Sequence, residues 1–152
     1  MDIVSSAKRK EMMSGIRGKN TRPEILVRSS LHKMGFRYRL HARNLPGKPD
    51  LVFPKHSAVI FVNGCFWHGH QCHLFKWPKT RPEFWRTKIT GNTERDIRNI
   101  DLLEVESWRI GIVWECALKG SKRQNLDDML QTIGEWLLSS VDKLELSGRK
   151  DD

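Results

Sequence analysis

The sequence is short of every feature that would put it in a membrane or outside the cell. No apolar run approaches the ~20 residues a membrane helix needs. The first residues, MDIVSSAKRK, lack the apolar region of a signal peptide. Only three cysteines occur, an odd number that argues against a disulfide framework. Internal repeats and low-complexity tracts are absent, which excludes solenoid and linker-like architectures. Acid is scarce at one end. Residues 1–49 hold three acidic residues (Asp2, Glu11, Glu24) against twelve Lys/Arg, so the whole net charge of +9 sits there and the remainder is balanced. The expectation is a bacterial-type soluble, cytoplasmic protein without membrane partners. Its basic third is either a solvated face or the footprint of a polyanion.

What is present suffices for a core. The 152 residues include six Trp and six Phe, and 38% are hydrophobic. A chain of this length buries roughly 68–70% of its unfolded surface, and one domain, residues 1–152, is expected. A short basic helix is expected over Lys8–Ile16, with Met12, Met13 and Ile16 on its apolar face. Thr21-Arg-Pro-Glu24 reads as a capping box opening a helix that carries Ile25, Leu26, Leu31 and Met34 and stops at Gly35. Strands are expected at Phe36–Arg39, Leu51–Phe53, Ala58–Val62 and Arg109–Trp114. Residues 82–105 suggest two helical pieces broken at Gly91, with Asn92/Thr93 as a new cap, and Leu126–Leu138 is amphipathic at helical spacing. The segment 145–152 is expected to fray. This order predicts an α/β fold, a mixed sheet flanked by helices.

Two groups of residues carry chemistry. Cys65-x4-His70-x-Cys72 sits in one irregular loop, and Cys116 follows the strand ending at Trp114. Three thiolates and one imidazole suit a tetrahedral structural zinc, with His68 and His73 as rival imidazoles. Asp50 stands at the entry to an apolar strand after a Gly/Pro turn, where a turn-capping role competes with a metal-binding one. Mg2+ takes few carboxylates, so Asp50 plus a backbone carbonyl at the end of the next strand can hold it. His68 beyond that strand can take a proton from water.

Taken together, Gly47-Lys-Pro-Asp50, Val59–His68 (VIFVNGCFWH), Cys72, Arg81-Pro-Glu-Phe-Trp85, Asn92-Thr-Glu-Arg-Asp96 and Trp108–Cys116 (WRIGIVWEC) resemble the very-short-patch repair (Vsr) endonucleases. The resemblance spans roughly residues 6–140. It implies a restriction-endonuclease-like core and nicking of duplex DNA 5′ to the T of a T:G mismatch, the product of 5-methylcytosine deamination. It implies Asp50 and the Val62 carbonyl as Mg2+ ligands and His68 as catalytic base, with Glu24 and Asp96 as supporting acids. It also implies Cys65, His70, Cys72 and Cys116 as zinc ligands. Phe66 and Trp67 become an aromatic wedge beside the mismatch, and Met13 an apolar residue entering from the other groove. On this reading residues 1–20 form a DNA-clamping helix whose Lys8, Arg9, Lys10, Arg17 and Lys19 meet phosphates. Lys76, Lys79, Arg81, Arg86 and Lys88 offer a second phosphate track. Trp77, Trp85, Trp108, Trp114 and Trp136 are assigned to core or interface. A monomer associated with the nucleoid is expected, with a MutL-type mismatch-repair protein as an implied partner.

The chain departs from the family pattern at two positions. Val62 stands where Thr is common, which leaves a backbone carbonyl available, and Asn63 stands where His is common, which removes an imidazole. The second acid and Lys of the wider Pro-Asp nuclease pattern are also missing. Two competing readings remain: a Vsr-like nuclease of relaxed or restriction-type specificity, and a zinc-stabilised DNA-binding module without catalysis.

Overall fold

The computed structural model describes residues 20–150. The expected helix at 8–16, and with it Lys8, Arg9, Lys10, Met13, Arg17 and Lys19, lies outside the described residues.

Helix α1 spans Arg22–Lys33, with Thr21 as N-cap, its hydroxyl accepting from the Glu24 N–H at 3.4 Å. The Glu24 carboxylate reaches back one residue further than a standard box, accepting from the Asn20 N–H at 3.1 Å. Gly35 ends the helix at φ +99°, where the next N–H, from Phe36, returns to Leu31 O. The buried face is Glu24, Val27 and Leu31, whereas Ile25, Leu26 and Met34 are exposed. The expected strand at Phe36–Arg39 shrinks to β1, Arg39–Leu40. Phe36 and Tyr38 pack on the core instead, and the Tyr38 hydroxyl donates to Arg28 O at 2.7 Å.

Strands β2 (Leu51–Phe53) and β3 (Ala58–Asn63) flank a 3-10 turn at Pro54–His56. Helix α2 (Pro82–Val105) leads to β4 (Arg109–Trp114). A single turn, α3 (Glu115–Leu118), follows, then α4 (Leu126–Leu138) and β5 (Lys143–Leu146). One five-stranded sheet has the order β1-β2-β3-β4-β5. The β1–β2 and β2–β3 pairs are antiparallel, while β3–β4 and β4–β5 are parallel. Parallel neighbours require crossovers, and α2 and α4 lie in the two that this sheet needs. This is the mixed sheet with flanking helices of a restriction-endonuclease-like fold.

Strand alternation builds two cores. Leu51, Phe53, Ala58 and Ile60 join Val27 and Leu31 of α1 and Ile133 and Leu137 of α4 on one face. Val52, Val59 and Ile110 meet Leu103 of α2 on the other. The Arg109 guanidinium secures the end of α4, donating to Trp136 O and Leu137 O at 2.9 Å each and lying 4.8 Å from the Trp136 ring centre. Among the described residues no helix is long and apolar enough to cross a membrane.

Two expectations are corrected. Residues 82–105 form one 24-residue helix, unbroken at Gly91. A side chain there would meet nothing within 4 Å, and the ~1 kcal/mol propensity cost of one glycine is small beside the packing of a long helix. Asn92 and Thr93 do not cap; they hold the loop before α2, as described below. The chain end is also not frayed from 145. Residues 143–146 pair with β4, Gln124 Nε2 donates to Ser147 O at 2.6 Å, and Arg149 N–H donates to Lys122 O at 2.7 Å. The short apolar pattern of Leu144 and Leu146 is too brief to separate from a tail by sequence alone.

Gly111 lies where β4 passes under α4. A Cβ there would come within 3.1 Å of the Trp136 ring and 3.2 Å of Ile60. Gly111→Ala is therefore expected to lower unfolding free energy by about 1–3 kcal/mol in urea titration; an unchanged midpoint would contradict this packing.

Candidate active site and metal centre

The parallel register sets the site. Asn63 pairs with Trp114 at the ends of β3 and β4. Each strand then turns, and Cys65 and Cys116 stand two residues past that pair, side by side. Cys65, His70, Cys72 and Cys116 offer donor atoms within 4.8 Å of one another. The His70 Nδ1 lies 3.5 Å from both Cys65 Sγ and Cys116 Sγ. A tetrahedral zinc with Zn–S of about 2.3 Å and Zn–N of about 2.0–2.1 Å sets such donors about 3.5 Å apart, so the cluster can hold zinc. Backbone N–H groups point at the sulfurs, Cys116 N–H at Cys65 Sγ (3.3 Å) and Gly148 N–H at Cys116 Sγ (3.1 Å). The His70 ring stacks on Trp114 at 4.1 Å, and the Trp114 indole donates to Glu145 of β5 at 3.1 Å. The Cys65 N–H donates to the Glu115 carboxylate at 3.1 Å. Burial pushes the Cys65 and Cys116 thiols up, so metal uptake by this cluster releases protons. His68 and His73, the rival imidazoles, are not in the cluster.

His68 faces elsewhere. Its Nδ1 contacts Asp96 Oδ2 at 2.6 Å. A carboxylate only accepts, so Nδ1 carries the proton, and in the neutral ring the lone pair is then on Nε2. Asp96 comes from the middle of α2. The same helix grips the loop, as Asn92 Nδ2 donates to Trp67 O at 2.9 Å and the Thr93 hydroxyl donates to Ile89 O at 3.0 Å and His68 O at 3.5 Å. Gly69 sits at φ +63°, where a Cβ would press within 2.9 Å of Ile89 and Thr93. The loop thus needs glycine to lie this close to α2.

Asp50 precedes β2 and accepts from the Val62 N–H through Oδ2 at 2.7 Å. It also faces the carboxyl of Glu24, which is 1% exposed. Glu24 Oε2 accepts from Arg28 at 2.6 Å and contacts His41 Nε2 at 2.8 Å. Burial, and then the neighbouring Glu24 carboxyl, push Asp50 up to about 7, against the lowering pull of the Val62 N–H and of His68. A buried and a half-buried acid meeting in this way can seat a divalent cation. Glu24, His41 and Asp50 again offer donors within 4.8 Å. Asp50, Val62, His68 and Asp96 line one cleft of about 1120 Å³, into which Arg43 and Lys48 also project.

Of the residues singled out in the sequence, the described structure therefore brings Asp50, Val62, His68 and Asp96 to one cleft, with Glu24 buried beside Asp50 rather than lining it. Phe66 and Trp67 are half-buried on its rim, packed edge to face at 5.2 Å. His41 was missed. A single His in a turn carries no spacing signal; its role emerges only because its N–H bonds Asp50 O at 3.0 Å while its ring meets α1. Trp85 and Trp108 are half-buried, and Trp114 and Trp136 are buried, but Trp77 is 49% exposed, which excludes the core half of its core-or-interface assignment.

The raised Asp50 makes stability pH-dependent. Its unfolded value is the ordinary 3.8 and its folded value about 7, so between these the folded chain holds an extra proton. Stability from this group is present at low pH and lost as pH rises through that window. Asp50→Asn removes the loss. In Mg2+-free buffer the variant is expected to gain on wild type by about 1 to 4 kcal/mol between pH 4 and pH 8 in paired urea titrations. A constant difference between the two proteins would contradict the buried acid pair.

Sequence comparison agrees with this architecture. The family model described as DNA mismatch endonuclease Vsr matches residues 1–74. The chain is 50% identical over 117 residues to the type II nicking enzyme V.XorIIP of Xanthomonas oryzae, covering 77% of this chain and 86% of that one. It is 43% identical over 134 residues to the type II nicking enzyme V.NmeAIP of Neisseria meningitidis, covering 87% and 96%. The DNA mismatch endonuclease Vsr of Escherichia coli is 42% identical over 136 residues, covering 90% of this chain and 87% of that one. With identities of this size over most of both chains, the protein belongs to the Vsr family of DNA mismatch endonucleases.

Proposed function

We propose that the protein nicks duplex DNA 5′ to the T of a T:G mismatch by metal-assisted hydrolysis, starting very-short-patch repair. The observation that carries this reading is the His68–Asp96 contact of 2.6 Å in the cleft that Asp50 also lines, with the buried Glu24 carboxyl against Asp50. Names carried by the relatives, mismatch endonuclease and nicking enzyme, support it.

Asp50, with the Val62 carbonyl, would hold Mg2+. When bound, that ion relieves charge on the phosphoryl oxygens and the leaving oxygen. His68 Nε2 accepts the proton of the attacking water as it closes on phosphorus. Asp96 holds the ring in the tautomer with Nε2 free and stabilises the imidazolium that forms. Glu24 sets the charge around Asp50, and Arg28 and His41 hold Glu24 in place. Phe66 and Trp67 enter the stack beside the mismatch, where unstacking costs least. Met13, Lys8, Arg9, Lys10, Arg17 and Lys19 clamp the opposite side. Cys65, His70, Cys72 and Cys116 bind a structural zinc that keeps the loop in shape.

Two measurements test this. Nicking of T:G and matched duplexes with Mg2+ should be confined to the T:G duplex. Asp50→Ala and His68→Ala should fall at least 100-fold and Asp96→Asn by a smaller factor. Equal cleavage of the matched duplex would favour a nuclease of relaxed or restriction-type specificity, and no wild-type nick would leave only a DNA-binding module. Metal analysis should find one zinc per chain, lost in Cys116→Ser together with a fall in Tm. Zinc-free wild-type protein with unchanged Tm would reject the cluster.

A further inference from the structure

The aromatic rim does not stop at the wedge. Phe66 stacks on Phe75 at 5.8 Å, and Phe75 meets Trp77 edge to face at 4.9 Å. Trp77 is the outer end of this series and is 49% exposed. Its polar surroundings are of one kind. Residues 76–88 hold five Lys/Arg and a single acid, Glu83. The Arg86 guanidinium lies over the Trp77 ring at 6.0 Å, and that of Arg81 over the exposed Phe84 at 4.4 Å.

A large indole kept half in solvent, at the end of an otherwise packed aromatic row, contributes little to the core. Trp77 belongs to no cluster of buried core residues, and its contacts are the edge of Phe75 and the Arg86 guanidinium. The same indole, flanked by cations and continuous with the wedge, has the chemistry of a nucleobase stacking surface. Every base offers a π face, cations over and beside the ring strengthen its attraction to a polyanion, and such stacks are worth about 1–3 kcal/mol per base.

We propose that Trp77 is a DNA-contacting residue that extends the Phe66–Trp67 wedge into a second stacking platform, receiving a nucleobase of the bound DNA while Arg81 and Arg86 meet the neighbouring phosphates. This inference rests on the reading that the cleft binds duplex DNA, but not on its nicking the duplex. Arg86 then has two roles: it orients the indole in the free protein and pairs with phosphate in the complex.

The test is equilibrium binding to a T:G duplex in Mg2+-free buffer, with Tm measured alongside. Trp77→Ala is expected to weaken binding about 5- to 100-fold, the range a lost base stack implies, with little change in Tm. Trp77→Phe should restore most of the affinity, and Trp77→Leu, which keeps apolar bulk without a π face, should not. Arg86→Ala should weaken binding and shallow its salt dependence. A duplex carrying 5-iodouracil at successive positions beside the mismatch should photo-crosslink to Trp77 at one of them. Wild-type affinity in both Trp77→Ala and Trp77→Leu, or crosslinks that never reach Trp77, would overturn the proposal. If the protein binds through Trp77 yet nicks nothing, the platform stands and the catalytic reading fails. If it nicks T:G DNA with affinity indifferent to Trp77, the reverse holds.

Discussion

Everything in the cleft depends on one tie between two loops. Strands β3 and β4 run parallel and end together at Asn63 and Trp114. Without a tie, the long segment from Gly64 to Arg81, which contains no strand or helix, would have little reason to hold one shape. Cys65, His70, Cys72 and Cys116 converge at the end of β4, where the proposed zinc would close the segment onto it. Around that tie, α2 holds the loop through Asn92 and Thr93, while Glu145 of β5 and Gly148 just beyond it support Trp114 and Cys116. His68 is five residues from β3, yet its ring is placed by α2 on one side and by the tied loop on the other. The position of the proposed base is thus a consequence of strand register plus donor chemistry, rather than of the local sequence.

The second constraint is electrostatic. Glu24 and Asp50 come from a helix start and a strand start that are unrelated in sequence, and both face inward. Burial and mutual proximity push Asp50 up to about 7, while Arg28 and His41 offset the charge on Glu24. A fold seeking stability alone has no use for a buried carboxyl set against a half-buried one. On the proposed reading a bound divalent cation would offset their cost and so link the stability of the cleft to its chemistry.

Much of this was legible in the sequence. Apolar runs located β2, β3 and β4, the cap at Thr21 located α1, and the 3.6-residue period located α4. The cysteine spacing pointed to the thiols that converge, the resemblance added His70, and the order of motifs gave the family. What was not legible came from long-range contacts. Gly91 looked like a break because Asn92 and Thr93 look like a cap, and only the loop they bind explains them. The four residues of β5 carry no signal apart from their pairing with β4. His41 has no spacing partner, and its meaning comes from two elements that converge on it. Trp77 looked like core because tryptophan usually is, and its exposure is visible only once Phe75 has been placed.

The most direct test of this account is hydrogen exchange, with and without removal of the zinc by a chelator. Loss of metal should deprotect residues 64–75 and 115–118 while α1 and α4 keep their protection, because the cluster ties two loops and not the sheet. Unchanged exchange in 64–75 after verified zinc loss would contradict the claim that the cluster holds the cutting loop in place.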